Sequence, residues 1–399
     1  MKKNPADITA EKNLETQLKN SNKIKIQNTL MILTGFLFIF CFGLLTLVLP
    51  QEDFSYDENR LLQTFPTISI DKIVNGSFES ELSKFYSDQF PMRENFVELK
   101  TICELSTLKI ENNKVIFASD GYLIKKTEYS DYSKLEENLQ AIKEFESKTD
   151  IPVTSVILPR TIDVEKDNNI PFFNYFHTDK IWGKINASEA NIMLLNDYFS
   201  ALDDEYIYYK TDHHQTTLGA YYTYTALATS LGYTPKPLSF FERQTFSSNF
   251  LGTTYSSSPM SSIEADTIEL FRYESDTNYT LEIVDTSKKY NGFYDMDAID
   301  VKDKYSVFLY GNNGHISIYP TDETLRSQRE TLLIIKDSYA NAISPFLALH
   351  YNLEIIDLRY YDYSYDIINE VNPDRILILY GADSVATSDN LSMVLRLLK

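Results

Sequence analysis

From Thr29 to Leu49 the chain reads TLMILTGFLFIFCFGLLTLVL, 21 residues without a charge. At about 1.5 Å per residue, a helix of that length covers roughly 30 Å, the thickness of a bilayer's hydrocarbon. The run is longer than the apolar region of a signal peptide and ends in Leu-Val-Leu-Pro rather than in small residues. A retained signal anchor is therefore expected, with cleavage as the alternative. Lys2, Lys3, Lys12, Lys19, Lys23 and Lys25 precede the run against Asp7, Glu11 and Glu15, while Glu52, Asp53, Asp57 and Glu58 follow it. This asymmetry keeps residues 1–28 in the cytoplasm and sends the rest outward, as a single-pass protein of the cell membrane.

The exterior part carries 31 basic and 54 acidic residues, a net charge near −23. No cluster of Lys and Arg occurs beyond the first 25 residues, which excludes a nucleic-acid binder. Cys41 lies within the apolar run and cannot reach Cys103, so neither a disulfide framework nor a Cys-rich metal centre is expected.

Residues 50–150 hold helix-forming stretches around ESELSKFYSDQFPMRENFVELKTICEL and 131–148, with a hairpin signal in KVIFASDGYLIKK. After the Ile151-Pro152 break, apolar runs alternate with helical stretches. VTSVILP (153–159), YIYY (206–209), YSVFLY (305–310), LLIIK (332–336), LEIIDL (353–358) and RILILY (375–380) read as strands; residues 188–202, 216–231 and 340–350 read as helices. The alternation predicts a doubly wound, mostly parallel α/β sheet over residues 151–399. Residues 236–300, rich in Ser, Thr and Asp but holding TIELFRY and TLEIVD, are expected to form an inserted β-rich lobe.

In such sheets the functional crevice lies past the carboxyl ends of the strands. YIYY is followed by Asp212, His213 and His214; LLIIK by Asp337, Ser338 and Tyr339; YSVFLY by Gly311, Asn312, Asn313 and Gly314; and LEIIDL by Arg359. A serine hydroxyl needs an imidazole to take its proton and a third group to orient that imidazole, and Ser338, His214 and Asp212 supply the set. Either His213 or His214 satisfies the pattern as the base. Ser338 as a plain helix cap is the structural alternative. Asn312 is an oxyanion donor or a turn residue. Arg359 is a substrate-binding cation or the partner of a nearby Asp, and His213 and Tyr339 are further candidates for contact with substrate. Adjacent histidines are expected to point apart, and His177, His315 and His350 show no ligand spacing, so no metal site is expected. The Asp-His-His triplet of two-metal phosphoesterases lacks its companion aspartate motifs here.

The runs YYKTDHHQTTLGAYYTY, FLGTTYSSS, VFLYGNNG, LLIIKDSYANAISPFLALHY and IIDLRYY, with ENRLLQTFP and DQFPMREN nearer the start, together resemble the DHHW protein family, named for Asp-His-His-Trp. Gln215 stands where the motif has tryptophan. That family is similar in turn to SGNH-hydrolase-like O-acetyltransferases of the alginate-modifying type. The resemblance implies an SGNH-like sheet, a Ser338-His214-Asp212 triad, Asn312 in the oxyanion hole, and no cofactor. It also implies a polysaccharide acceptor and an acyl donor delivered by a membrane-bound O-acyltransferase. A glycan O-acetyl esterase with the same triad, and a non-catalytic membrane-tethered glycan-binding or assembly protein, are the alternatives.

Overall fold

A computed structural model describes residues 5–55, 60–126, 131–164, 179–202 and 205–398. Lys2, Lys3, Asp57, Glu58 and His177 lie outside the described residues. The chain divides into two units, one of residues up to 55 with 60–97, the other from residue 98 onward.

In the first unit, helix α1 (Pro5–Val48) is continuous, and its segment Lys19–Val48 is long and apolar enough to cross a membrane. Leu30, Ile32, Phe36 and Phe40 project from it unburied, an arrangement that water penalises and lipid does not. Helix α2 (Ser77–Asp88) follows, burying Phe85 edge-on against Phe65. The division between the units falls within helix α3 (Arg93–Ser106).

The second unit opens with the antiparallel strands β1 (Val115–Phe117) and β2 (Leu123–Lys125), joined through left-handed Asp120 and Gly121. Helix α4 (Ser133–Lys148) buries Leu135, Leu139, Ile142 and Phe145, one stripe at helical spacing. Next come β3 (Val153–Leu158), β4 (Ile192–Leu194) and helix α5 (Thr217–Leu231). The Thr216 hydroxyl accepts from Gly219 N–H to start α5, and left-handed Gly232 ends it. Strands β5 (Glu242–Phe250) and β6 (Asp266–Arg272) pair as a separate hairpin. Strands β7 (Tyr279–Ile283), β8 (Lys288–Asn291), β9 (His315–Pro320) and β10 (Thr331–Lys336) precede helix α6 (Ala340–Leu347). Strand β11 (Asn352–Ile356), strand β12 (Arg375–Gly381) and helix α7 (Ala382–Thr387) complete the set.

Eight of these strands form one sheet in the order β8-β7-β9-β11-β10-β12-β3-β4. From β11 to β4 every pairing is parallel, and the other three strands add an antiparallel edge. Alternate residues of each central strand feed opposite cores. Leu332 and Ile334 join the side covered by α5 and α6, whereas Leu333 and Ile335 join the side covered by α4 and α7. Both faces are thus covered, the condition for a doubly wound sheet. The chain leaves β10 for β11 on one side and then crosses to β12 on the other, so the carboxyl end of β10 is the sheet's switch point.

Three readings are corrected, one of a helix and two of short apolar runs. Residues 188–202 contain strand β4 followed by a short helix at Asn196–Ser200. YIYY is a loop with a single bridge, Tyr208 to Gln215, and YSVFLY begins as a 3-10 turn at Lys304–Val307. In both aromatic runs nearly every side chain is buried, so the apolar pattern has no period by which to tell strand from turn. In the stretch expected as a lobe, only β5 and β6 stand apart; β7 and β8 extend the main sheet.

Candidate active site

Asp337 and Ser338 follow β10 at once. The Asp337 carboxylate accepts from Tyr339 N–H at 3.0 Å and from Gly381 N–H at 2.9 Å, tying the ends of β10 and β12 together. Helix α6 takes no side-chain cap. The Ser338 hydroxyl instead meets His214 Nε2 at 2.7 Å, so the capping alternative is not the arrangement found.

His214 comes from a loop closed by Thr216 N–H to Ile207 O (2.9 Å) and Tyr209 N–H to His214 O (3.2 Å). Asp266, at the start of β6, fixes this loop by accepting from Lys210 N–H, Thr211 N–H and the Thr211 hydroxyl. Within it, Asp212 Oδ1 lies 2.5 Å from His214 Nδ1, and Asp212 Oδ2 accepts from Thr253 N–H (2.8 Å) and the Thr253 hydroxyl (2.9 Å). Burial alone would raise the Asp212 carboxyl's pKa. The two imidazoles and these hydrogen bonds outweigh it and hold the group well below the ordinary carboxylate range. An ionised Asp212 can only accept, so His214 Nδ1 carries the proton and Nε2 offers its lone pair to Ser338. Tyr305 stacks on the His214 ring, centroids 4.0 Å apart and planes 10° from parallel, and fixes its remaining freedom. Gly252 must be glycine, because a Cβ there would collide with the Asp212 side chain.

Behind the serine lies a second polar cluster. Lys336, fully buried, donates to Asn341 Oδ1 (2.8 Å) and Asn312 Oδ1 (3.1 Å) and stands 3.5 Å from Asp357 Oδ2. Asn341 Nδ2 also donates to Asn312 Oδ1, at 3.1 Å. With its oxygen held by two donors, the Asn312 amide presents Nδ2 on the opposite side. Neither that group nor the Ser338 backbone N–H has a partner among the described residues. Asn312 does not follow a strand, as its run suggests, but a turn in which Leu309, Tyr310 and Gly311 all have positive φ. Two non-glycine residues in that region cost about 1 kcal/mol or more each, offset here by complete burial of Leu309 and by Tyr310 stacked on Tyr290 at 3.8 Å.

The remaining candidates separate. Arg359 is bidentate on Asp357, through Nε (2.8 Å) and Nη2 (2.6 Å), so its donors toward that side are taken. The Tyr339 hydroxyl donates to His213 O at 2.6 Å and braces the loop from beneath. His213 Nδ1 meets Thr253 Oγ1 at 2.9 Å, with its ring 3.9 Å from that of His214. The two histidines therefore do not point apart, and potential ligand atoms of Asp212, His213 and His214 lie within 4.8 Å of one another. Each of these residues is already engaged in the hydrogen bonds above, which an ion would have to displace.

The model of the family described as DHHW protein matches residues 118–357, more than half of the chain. The chain belongs to the DHHW protein family. Among solved structures, a DHHW family protein from Eubacterium siraeum is 22% identical with a TM-score of 0.59, covering 71% of this chain and 96% of that one. Bacillus cereus PatB1, solved with a sulfonyl adduct, is 18% identical with a TM-score of 0.56, covering 70% and 98%. The O-acetyltransferase domain of Pseudomonas putida AlgJ is 14% identical with a TM-score of 0.44, covering 71% and 98%. Among curated proteins none matches the chain.

In this DHHW protein the motif's fourth position, Gln215, is buried: its Oε1 accepts from the Thr223 hydroxyl at 2.8 Å beside Tyr208. The residue anchors the root of α5 and does not reach the serine. Thr253, Tyr305, Lys336 and Asn341 are the residues of the site that sequence reasoning left out. Thr253 lies in FLGTT, a run that marks the family, and that was the one signal pointing to it.

Proposed function

We propose that this protein is a membrane-anchored, extracytoplasmic O-acyltransferase that moves an acetyl group onto a hydroxyl of a cell-surface or secreted polysaccharide. One observation carries the reading: Ser338 Oγ lies 2.7 Å from His214 Nε2, and Asp212 holds the other imidazole nitrogen at 2.5 Å. In the first step the Ser338 proton passes to Nε2 as Oγ attacks the acyl carbon; the donor's acyl bond breaks and its leaving group takes that proton. In the second, a glycan hydroxyl gives its proton to Nε2 and attacks the acyl-serine, and Oγ departs as the hydroxyl. The Ser338 N–H and Asn312 Nδ2 stabilise the tetrahedral oxyanion in both steps, worth about 3 kcal/mol per donor. The apolar helix α1 supports the anchoring, with the amino terminus cytoplasmic and the site outside. Acetyl-coenzyme A being cytoplasmic, the acyl group reaches the site from a membrane-bound O-acyltransferase partner.

The test is intact mass of the full chain in detergent after exposure to 4-nitrophenyl acetate, and separately to a sulfonyl fluoride. Wild type should gain one acetyl or one sulfonyl group. Ser338→Ala should gain neither, with turnover lower by about 10⁴-fold or more and an unchanged melting temperature. Adduct formation on Ser338→Ala, or none on wild type across a range of activated esters, would sink the mechanism.

A further inference from the structure

Four large aliphatic side chains close together in the chain, Ile68, Ile70, Ile73 and Val74, are 70%, 80%, 56% and 81% exposed. Ser69 caps the single helical turn Ile70–Val74 by accepting from Lys72 N–H. At about 100° per residue, Ile70, Ile73 and Val74 fall on one face of that turn. Lys72 falls on the opposite face and pairs with Glu81 at 2.7 Å. Water penalises such an aliphatic patch, and its place in the fold says what covers it.

Helix α1 leaves its apolar run at Leu49, and the residues that follow are tied to the segment carrying the patch. Phe65 N–H donates to Gln51 Oε1 at 2.9 Å, and Leu62 N–H donates to Asp53 O at 2.9 Å. The Gln89 amide exchanges hydrogen bonds with the Glu52 backbone at 2.8 and 3.0 Å. Ile68 follows Phe65 by three residues, a reach of at most about 11 Å. Deeper along α1, Phe90 stacks on Phe42 with centroids 5.2 Å apart and planes 10° from parallel, and Phe96 meets Phe38 edge-on at 6.1 Å. Phe42 stands seven residues before Leu49, which is about 10 Å inside the end of the apolar run. Phe40, Leu44 and Val48, on the opposite face of the helix, stay exposed at this level. The segment thus descends one flank of α1 to a depth at which the other flank requires lipid.

We infer that Ile68, Ile70, Ile73 and Val74 insert into the outer leaflet beside α1, so that the chain holds the bilayer at two places, the spanning helix and this aliphatic turn. The turn's one cation, Lys72, is paired, and Asp71 borders the patch, so the attraction is to acyl chains rather than to anionic headgroups. The inference rests on the anchored reading of α1.

Fluorescence of the full chain in phosphatidylcholine nanodiscs tests it. A nitrobenzoxadiazole dye is attached at Val74→Cys or Ser83→Cys in a chain that also carries Cys41→Ser and Cys103→Ser. In a chain carrying Cys103→Ser alone it is attached to Cys41, which is exposed on α1. Lipid bearing a nitroxide on its upper acyl chain quenches from within the bilayer, and iodide quenches from water. Ser83 is exposed on α2 and reports water. At position 74 the nitroxide lipid should lower emission about twofold or more, and iodide should act at least about fivefold less strongly than at position 83. Adding Ile70→Asn and Ile73→Asn should abolish the lipid quenching at position 74; retained quenching would mean that the dye inserts by itself and would overturn the inference. Iodide quenching at position 74 equal to that at position 83 would overturn it too. So would shielding from both quenchers, which would put a protein surface, a second copy or another chain, over the patch. The dye on Cys41 separates the two readings. No quenching there by nitroxide lipid removes the anchor itself, whereas quenching at Cys41 without quenching at position 74 removes only the insertion of the turn.

Discussion

Two polar clusters, each with a buried centre, flank the carboxyl end of β10, and they are built to opposite ends. On one side the chain Asp212, His214, Ser338 is directional: each hydrogen bond hands on to the next group, and the last is a hydroxyl at the sheet's switch point. On the other side Lys336 donates to Asn312 and Asn341 and pairs with Asp357, which Arg359 also holds, so the cluster closes on itself. Burial lowers the Lys336 pKa first and most, opposed chiefly by Asp357. A buried lysine so perturbed beside the proposed nucleophile would ordinarily be a candidate base. Its closed set of partners assigns it a different task, to fix which way the Asn312 amide faces.

If that division is right, Asn312→Ala should hurt chemistry more than stability and leave the fold intact. Acetyl-enzyme formation from 4-nitrophenyl acetate should fall about 10²- to 10³-fold, the cost of one oxyanion donor, while thermal stability drops by about 1–3 kcal/mol because Lys336 Nζ and Asn341 Nδ2 lose an acceptor. A loss below about threefold in the burst rate would place Asn312 in the scaffold with Lys336.

The directional cluster can be broken without touching any of its three members. Gly252→Ala drives a Cβ into the Asp212 side chain, and either the carboxylate or the backbone of residues 252–253 must shift. A displacement of about 1 Å should cost about 10² in acylation rate, because Nε2 no longer meets Oγ in line. Far-UV circular dichroism should be unchanged and the melting temperature lower by only a few degrees, corresponding to roughly 1–3 kcal/mol of overpacking strain. A variant with full activity would mean that the loop absorbs the methyl group and that the close approach is incidental.

The same contrast explains which parts of the site the sequence displays. Asp212, His214 and Ser338 stand directly after short apolar runs, where chain order alone announces the end of a strand or a loop beside one. The parallel sheet follows from strand and helix alternation, since β3, β10, β11 and β12 are each apolar on both faces. Tyr305 was not legible, and Thr253 only as a letter of the family's FLGTT run. They touch the relay only because the turn before Asn312 and the loop after β5 fold back onto it, contacts that no local period encodes. Lys336 was hidden for a different reason: it is the last residue of an apolar strand, and a terminal lysine there reads as a solvated end. The strand expected at 305–310 failed because burial on all sides leaves an aromatic turn and a short strand with the same pattern.

A further imidazole, outside both clusters, gives the smallest and most separable effect. His350 stacks on Tyr233 at 4.5 Å, and its Nε2 meets the Tyr224 hydroxyl at 2.8 Å. That hydroxyl accepts from Lys236 N–H, and its own proton is satisfied when it donates to Nε2 of a neutral ring. Burial, followed by the charges of Lys236 and Arg329, lowers the His350 pKa from 6.5 to about 4. An unfolded imidazole binds a proton more readily than the folded one throughout that interval, so the folded state loses stability as pH falls from 6.5 toward 4 and holds it fully above 6.5. Because the ring is only partly buried, the loss should be roughly 1–2 kcal/mol, less than the full shift would imply. His350→Gln should remove that increment, flattening the dependence of melting temperature on pH across the window by about 2–5 °C relative to wild type. His213, also lowered, acts in the same direction in both proteins and cancels in the difference. Acetyl-enzyme formation at neutral pH should be the same in the two, which separates an imidazole that only packs from one that sits at the end of a relay. An unchanged slope in His350→Gln would show that acid lability comes from elsewhere, with the Asp212 loop as the next place to look.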